Sequence, residues 1–294
     1  MDRHWRGAGA IPALLLLFSL LTCGNSPEEG STTATTRIQN KGSDTMVNLA
    51  LAWAETYNQV DPSAQVSVTG GGSGTGIAAL INRTVDMANA SREIKPEEVS
   101  QAEASGVRPV EHVVAGDAIA VVIHPSNPVS RLTIPQLSDI FSGKISNWLE
   151  VGGEDRPIVL LSRESNSGTH VYFLEEVVRQ GDGDDTTLFS PNTLLMPSSE
   201  GITTEVRQNP NAIGYDGLGY VTPDQKVVAV APADGKAYVL PSVETVKDGS
   251  YPIARALHIY TAGEPQGVIA DYLEWILGPA GQAIVLGQGF VPLN

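Results

Sequence analysis

The sequence AQVSVTGGGSG, residues 64–74, gives the clearest indication of the fold class. Its first half alternates apolar and polar side chains, which predicts a β-strand over residues 64–68 with one buried face. The glycine-rich loop that follows leads into apolar residues 77–81, which we interpret as a helix. A strand, a loop rich in Gly and Ser, and a helix in this order are typical of an α/β domain with parallel strands.

The same order of elements recurs before and after this stretch. Residues 37–41 form a first predicted strand, and the apolar stripe from Met46 to Tyr57 has the spacing of an amphipathic helix. Residues 158–161 form another predicted strand, which leads through residues 162–169 into a helix that continues to residue 178. The chain therefore predicts an α/β fold, and its 294 residues suggest about two domains.

Further elements follow from the same patterns of hydrophobic spacing. The other predicted strands are residues 85–88, 118–124, 212–215, 227–230 and 257–261. The other predicted helices begin at Pro96 or cover residues 134–141, 267–277 and 282–286. We expect Trp53 and Tyr57 to be core residues and Trp148 to pack inside the second domain.

The composition limits the classes of partner. Hydrophobic residues make up 41% of the chain and charged residues 17%, which leaves enough apolar surface for folded cores. The 18 basic and 33 acidic residues give a formal net charge of −15, which repels nucleic acid and anionic membrane surfaces. The single cysteine excludes an intrachain disulfide and a cysteine-based zinc cluster, and the five histidines show no metal-ligand spacing. We predict no metal, no cofactor and no nucleic-acid partner.

The N-terminal residues have the pattern of an export signal. A short basic region precedes an apolar stretch over residues 8–21, shorter than the roughly 20 residues of a membrane-spanning helix. Cys23 follows in Leu-Leu-Thr-Cys, which resembles a bacterial lipobox, so we predict a lipoprotein signal peptide over residues 1–23 with Cys23 lipidated. The alternative is an ordinary signal peptide with an incidental cysteine. Residues 24–36 are polar and predict a flexible tether, so the folded part would lie outside the cytoplasm, anchored to the membrane.

Three loops share one design, in which a strand ends, residues rich in Gly, Ser and Thr follow, and a helix starts. They are residues 42–45, 70–76 and 165–169. Helix N-termini offer unpaired backbone N–H groups, glycine lets the backbone approach a ligand, and each hydroxyl adds a donor. Arg163 precedes the third loop and supplies a charged, bidentate fork for an oxyanion. The three loops predict an anion-binding site, although each one alone could simply cap a helix.

Other ligand-binding and catalytic motifs fit less well. A Walker A loop fails at Ile77, where a lysine should stand, and a nucleophile elbow fails at Thr75, where a glycine should stand. The strict dinucleotide-binding motif fails at Thr75, and only its looser form, ending in Ala79, matches. The acidic partner of that form would be Glu97 or Glu98, which start a helix instead of ending a strand. His170 is interpreted as a helix surface residue and not as a catalytic base, so we predict no catalytic residue.

Several motifs resemble those of one known family. They are KGSDTM (41–46), GGGSGTGI (70–77), DMANASR (86–92), FSGKISNW (141–148), SRESNSGT (162–169), AIGY (212–215) and YPI (251–253). Together they resemble the phosphate-binding protein of the bacterial phosphate-specific ABC importer, in the same order over about residues 37–294. The resemblance implies a two-domain, type II periplasmic-binding-protein-like fold with hinge strands and a ligand cleft between the domains. Domain 2, about residues 115–231, would be inserted in domain 1, residues 37–114 plus about 232–294.

The resemblance also implies a function. The chain would be a monomeric extracytoplasmic binding protein, not an enzyme, that captures inorganic phosphate and delivers it to the membrane permease subunits of an ABC importer. Three other classes remain open. They are a binding protein for another oxyanion such as sulfate or molybdate, a secreted phosphatase or serine hydrolase, and an adhesion or sensing protein that kept the fold.

By matching position, the resemblance assigns phosphate ligands in this chain. The donors are Ser43, Thr45, Ser73, Arg163, Ser167, Gly168 and Thr169. Many family members carry a carboxylate where Ser91 stands, and it accepts a hydrogen bond from protonated phosphate. Ser91 cannot repel the sulfate dianion by charge, so Asp44 is a candidate acceptor, as is Glu164, unless the two are only a helix cap and a surface partner of an arginine. We include Ser91 and Asp44 among the predicted ligands; Arg92 is left open between a salt bridge and a role at the site, and Asp86 is expected to be structural.

Overall fold

The computed structural model describes residues 35–293. The predictions for the signal peptide, the lipidated Cys23 and most of the tether fall outside the described residues. Among the residues that are described, no helix has the length and apolar character needed to cross a membrane.

Strands and helices alternate along the described chain, and the predicted α/β class is confirmed. The strands are β1 (Thr36–Gly42), β2 (Ala64–Thr69), β3 (Met87–Ala90), β4 (Pro109–Ile123), β5 (Arg131–Thr133), β6 (Val159–Arg163), β7 (Leu194–Met196), β8 (Ala212–Gly217), β9 (Lys226–Val227), β10 (Ala229–Ala231) and β11 (Ala254–Ala262). The helices are α1 (Val47–Val60), α2 (Ser73–Ile81), α3 (Pro96–Ala104), α4 (Ile134–Ser142), α5 (Gly168–Phe173), α6 (Ser199–Gln208), α7 (Val243–Lys247), α8 (Val268–Leu277) and α9 (Pro279–Gly287).

One continuous path of strands runs through the main sheet, in the order β2-β1-β3-β11-β4-β8-β6-β7. At one end β1 pairs in parallel with β2 and β3, and at the other β6 pairs in parallel with β7 and β8. Between these groups β11 is antiparallel to β3 and β4, and β4 is antiparallel to β8. The expectation of parallel strands therefore holds for the two ends of the sheet and is wrong for its middle.

The length of β4 explains the antiparallel middle. Its residues 109–118 pair with β11, and its last residues, 119–123, pair with β8, so one strand belongs to both halves of the sheet. The predicted strand began only at residue 118, because the preceding residues are partly exposed and lack a continuous apolar run. Pairing with a neighbouring strand extends β4 where hydrophobic pattern alone gives no signal.

The two largest hydrophobic cores of the described residues meet along β4, on either side of its middle. Ala115 belongs to the core that contains Trp53 and Tyr57, whereas Ala118 belongs to the core that contains Trp148. All three aromatic side chains are buried, as predicted. Two cores that share one strand are what a two-domain chain with crossing strands requires, although the domain boundaries themselves stay a prediction.

Two further boundaries differ from the sequence-based expectation. Helix α2 begins at Ser73, inside the glycine-rich loop, and not at residue 77. The helix expected to run to residue 178 is α-helical only to Phe173 and then forms a π-helical turn, Leu174–Val178. The wider turn is visible in the backbone hydrogen bond from Arg179 N to Leu174 O, 2.9 Å.

Candidate anion-binding site

The parallel strands β2, β1 and β3 end at one edge of the sheet, which brings their following loops together. Ser43 Oγ donates to Ser91 Oγ at 2.9 Å, although the two residues belong to different loops. Ser73, from the glycine-rich loop 70–76, lies 3.3 Å from Ser91 through its Oγ and accepts a hydrogen bond from the Ser91 backbone N–H at 3.0 Å. All three serines are buried. The predicted hydroxyls of these three loops therefore lie together.

The second group of predicted ligands lies at the end of β6. Ser167 precedes α5, and its Oγ accepts a hydrogen bond from the Thr169 backbone N–H at 3.2 Å. Thr169 Oγ1 lies 2.7 Å from Thr45 Oγ1, 124 positions away in sequence, so the two groups of hydroxyls meet directly. The structure thus brings the ligands predicted from both halves of the chain into one buried cluster.

Glycine is required where these groups meet. A Cβ atom on Gly168 would lie 2.4 Å from Ser73 Oγ and 2.6 Å from Ser91 Oγ, far inside van der Waals contact. Gly72 has a positive φ of +91°, and a Cβ there would lie 2.7 Å from the backbone O of Asn166. Any larger residue at either position would push the two halves of the site apart.

The exposed rim of the site is also joined across the two halves. Asn166 Nδ2 donates to Gly71 O at 2.9 Å, and Gly74 N donates to Asn166 O at 3.0 Å. The glycine-rich loop and the loop after β6 are therefore held together above the buried hydroxyls.

Arg163 is almost completely buried, with 1% of its surface exposed, and it forms an ion pair with Asp44. Its Nη2 donates to Asp44 Oδ2 at 2.7 Å, and its Nη1 donates to Ser199 Oγ at 2.9 Å. Asp44 Oδ1 in turn accepts from Gly71 N at 3.2 Å. Asp44 therefore neutralises Arg163 and holds the glycine-rich loop.

A second carboxylate lies behind Arg163. Ser199 Oγ donates to Asp216 Oδ1 at 2.9 Å, so Asp216 contacts Arg163 through this serine. Burial raises the pKa of Asp216 to about 6, and the nearby positive charge of Arg163 only partly opposes this rise. Asp216 Oδ2 has no hydrogen-bond partner among residues 35–293.

Sequence reasoning missed one charged pair at the site, Arg255 and Asp117. Arg255 Nη2 donates to Asp117 Oδ2 at 2.8 Å and to Thr169 Oγ1 at 2.9 Å, and its Nη1 donates to Ser91 O at 2.8 Å. Asp117 lies within β4 and Arg255 lies within β11. The sequence did contain one indication of this pair, a charged residue close to each of two predicted buried strands, because buried charges require partners.

Other candidates lie away from the hydroxyl cluster or have structural contacts. Arg92 forms a bidentate pair with Glu98 at 2.8 and 2.7 Å, which favours the salt-bridge interpretation. Glu164 is exposed. His170 Nδ1 lies 2.8 Å from Arg163 O and 3.0 Å from Ser162 Oγ, and burial lowers its pKa. Asp86 accepts from Gln39 N at 2.7 Å, a structural contact between β1 and the residues before β3.

The hydroxyl cluster suits an anion. The described residues contain no group of three or more His, Cys, Asp or Glu side chains placed to hold a metal ion. Three of the buried hydroxyls, on Ser73, Ser167 and Thr169, accept hydrogen bonds from N–H groups. Because an N–H of this kind can only donate, each hydroxyl keeps its own proton available for an acceptor.

Comparisons with known proteins agree with this chemistry. The chain matches a family model described as a PBP superfamily domain over residues 27–280. It is 34% identical over 273 residues to the phosphate-binding protein PstS of Pseudomonas aeruginosa, covering 87% of this chain and 83% of that protein. It is 32% identical over 282 residues to the phosphate-binding protein PstS of Bacillus subtilis, covering 92% and 89% of the two chains.

Solved structures give the same result. A phosphate ABC transporter substrate-binding protein of Clostridium perfringens, solved with bound phosphate, matches with a TM-score of 0.78 at 31% identity, over 88% of this chain and 100% of that chain. An ABC-type phosphate transport receptor from Vibrio cholerae matches with a TM-score of 0.68 at 27% identity, over 86% and 99% of the two chains. The predicted periplasmic-binding-protein-like fold is confirmed, and the chain belongs to the bacterial phosphate-binding protein family of the PBP superfamily.

Proposed function

We propose that this protein captures inorganic phosphate outside the cytoplasm and delivers it to the permease of an ABC importer. Relatives named as phosphate-binding proteins, at 34% and 32% identity over most of the chain, support this assignment. The protein binds and releases its ligand and is not an enzyme. It would act as a monomer toward the membrane permease subunits.

One observation carries the proposal, namely the direction of the hydrogen bonds at the buried hydroxyls. Ser73, Ser167 and Thr169 accept from groups that cannot reverse, so their protons are left for another acceptor. Phosphate oxygens are strong acceptors, and hydrogen bonds to ionised oxygens are roughly twice as strong as neutral ones. A cluster of hydroxyls fixed in this sense favours an anion over a neutral or cationic ligand.

The proposed ligands come from both halves of the chain. They are Ser43, Asp44, Thr45, Ser73, Ser91, Arg163, Ser167, Gly168 and Thr169. Phosphate would replace the hydrogen bonds that the hydroxyls now make with one another, and Arg163 would supply a formal positive charge. We propose β4 and β11 as the hinge strands, because β4 contributes to both hydrophobic cores and β11, which starts directly after Ile253 of one core, contributes Leu257 to the other. Closure of two domains about such strands is a common motion of periplasmic-type receptors.

Selection of phosphate over sulfate depends on an acceptor for the phosphate proton. Ser91 is buried and can accept, but it carries no charge with which to repel sulfate. Asp44 adjoins two proposed ligands in sequence and pairs with a third, Arg163. We therefore propose Asp44 as the acceptor.

Membrane attachment is proposed from the sequence. A lipidated Cys23 would anchor the protein to the membrane, and residues 24–36 would give the folded part freedom to reach the permease.

Calorimetric titration of the full-length protein with phosphate, sulfate and molybdate tests the function. We expect phosphate to bind and the other two anions to be ignored at the same concentration. Equal or tighter binding of sulfate or molybdate would assign the site to another oxyanion, and failure to bind all three would contradict the proposed function.

A further inference from the structure

The charged pair of Arg255 and Asp117 is the most completely buried ion pair next to the hydroxyl cluster. The side chains are 2% and 0% exposed, and two guanidinium nitrogens, Nε and Nη2, donate to Asp117 Oδ2 at 3.1 and 2.8 Å. Two charges removed from water in this way cost free energy unless further hydrogen bonds compensate them. The other hydrogen bonds of Arg255 therefore indicate the role of the pair at the anion site.

Those donors reach two proposed phosphate ligands. Nη1 donates to the backbone O of Ser91 at 2.8 Å, across 164 positions of sequence. Nη2 donates to Thr169 Oγ1 at 2.9 Å, across 86 positions. Asp117 lies on β4 and Arg255 on β11, so the pair joins the proposed hinge strands to a ligand from each half of the site.

The direction of these bonds has a consequence for Thr169. A guanidinium can only donate, so Thr169 Oγ1 must accept from Arg255 and its own proton must point elsewhere. One lone pair of the hydroxyl is then used, and its proton is directed away from Arg255, toward Thr45 Oγ1 at 2.7 Å or toward a bound anion. A hydroxyl that accepts from a charged group also becomes a stronger donor. Without Arg255 the hydroxyl could rotate and present a lone pair, which would repel an anion.

We propose that Arg255, held by Asp117, is a positioning residue of the anion site that sets Thr169 as a hydrogen-bond donor and fixes the Ser91 backbone. This inference rests on the proposed phosphate-binding function. Arg255 acts through these residues, because each of its guanidinium nitrogens donates to Asp117, Ser91 or Thr169, and two of those three residues are proposed ligands.

Arg92 provides a matched control. It is also a buried arginine, 7% exposed, with a bidentate carboxylate partner, but that partner is Glu98, only six positions away. Its other side-chain hydrogen bond goes to the backbone O of Glu93. Loss of Arg92 therefore removes a buried ion pair without removing a hydrogen bond to a proposed ligand.

A double-mutant cycle on the full-length protein, with phosphate affinity measured by calorimetry, tests the proposal. We expect Arg255→Gln to weaken phosphate binding at least about tenfold and Thr169→Val to weaken it by a similar factor. Because both substitutions remove the same oriented donor, the double variant should bind phosphate almost as tightly as whichever single variant has the lower affinity. Arg92→Gln should leave the affinity within about twofold of wild type.

Each contrary result has a separate meaning. Effects of Arg255→Gln and Thr169→Val that multiply in the double variant would overturn the positioning role and leave Arg255 a structural residue. If Arg255→Gln does not fold because Asp117 is left unpaired, Arg255→Gln with Asp117→Asn removes the stranded charge, and the same cycle is measured in that background. Wild-type protein that binds no phosphate would instead overturn the proposed function, and this inference with it.

Discussion

Arg163 and Arg92 are both buried arginines that follow a serine near the end of a strand, yet they contact different parts of the molecule. Arg163 pairs with Asp44, 119 positions away, and so links the loop after β1 to the end of β6. Arg92 pairs with Glu98, six positions away, and stabilises only the segment that leads into α3. Burial and a carboxylate partner therefore do not by themselves identify an arginine as a ligand residue. A better indication is that the ion pair connects two segments that both contribute to the anion site.

The largest expected effect is on Arg163. Arg163→Ala removes the proposed formal charge at the anion, and charge-assisted hydrogen bonds contribute about 1.5–3 kcal/mol each. Two such bonds correspond to a loss of at least about a hundredfold in phosphate affinity. Arg163→Lys should also weaken binding, because an ammonium group cannot reproduce the bidentate fork.

Phosphate titration calorimetry measures this effect, with thermal unfolding recorded alongside to confirm that each variant is folded. A folded Arg163→Ala protein with near-wild-type affinity would mean that Arg163 serves only to hold Asp44 and Ser199 in place.

A somewhat smaller effect is expected at Gly168, where the two halves of the site touch. Gly168→Ala places a Cβ 2.4 Å from Ser73 Oγ and 2.6 Å from Ser91 Oγ, so at least one hydroxyl must move. We expect phosphate affinity to fall at least about tenfold, since displaced donors lose well-aligned hydrogen bonds. The measurement is the same titration.

Gly183→Ala is the matched control. No atom lies within 4 Å of a Cβ built at Gly183, so the same chemical change should leave affinity unaltered. Equal affinity in the two variants would show that the contact between Gly168 and the serines does not limit phosphate binding.

Substitution of Asp44, the partner of Arg163, tests whether this carboxylate also discriminates phosphate from sulfate. Asp44→Asn removes the negative charge but keeps an oxygen that can accept from Gly71 N. If Asp44 accepts the phosphate proton, phosphate should weaken several-fold while sulfate, which has no proton to offer, gains affinity because the repulsion is gone. Competition binding decides the point: sulfate still ignored at large excess would limit Asp44 to holding Arg163 and the loop.

Much of the site could be predicted because its hydroxyls sit in local motifs. Ser43, Ser73 and Thr169 each follow a strand within a short Gly- and Ser-rich loop, and parallel strands bring such loops to one edge. The pairing of Arg163 with Asp44, and of Arg255 with Asp117, joins residues 119 and 138 positions apart. No local pattern encodes such a distance, so these pairs needed the folded structure.

The antiparallel middle of the sheet escaped prediction for a related reason. Hydrophobic pattern identifies a strand by the burial of its side chains, and the first half of β4 is only partly buried. Its pairing with β11 is a contact between distant segments, made through backbone groups that are alike in every sequence. The fold class was therefore readable from the sequence, whereas the strands that connect its two halves were not.

Substitution of Arg92 is expected to change ligand binding least. Arg92→Gln should leave phosphate affinity within about twofold of wild type, because the hydrogen bonds of its side chain go to Glu98 and Glu93 and share no partner with the proposed ligands. Stability should fall instead, by about 1–2 kcal/mol at neutral pH, since the partly buried Glu98 loses its partner.

The pH dependence of that loss gives the sharper test. Burial alone would raise the pKa of Glu98, but the hydrogen bonds and charge of Arg92 hold it below its ordinary value of 4.5. A lowered pKa in the folded state stabilises the protein above pH 4.5, and this contribution disappears as the pH falls through the folded-state pKa. The difference in unfolding free energy between wild type and Arg92→Gln, measured by denaturant titration, should therefore shrink below pH 4.5. A constant difference across this range, or a large loss of phosphate affinity, would show that Arg92 contributes through the anion site and not through Glu98.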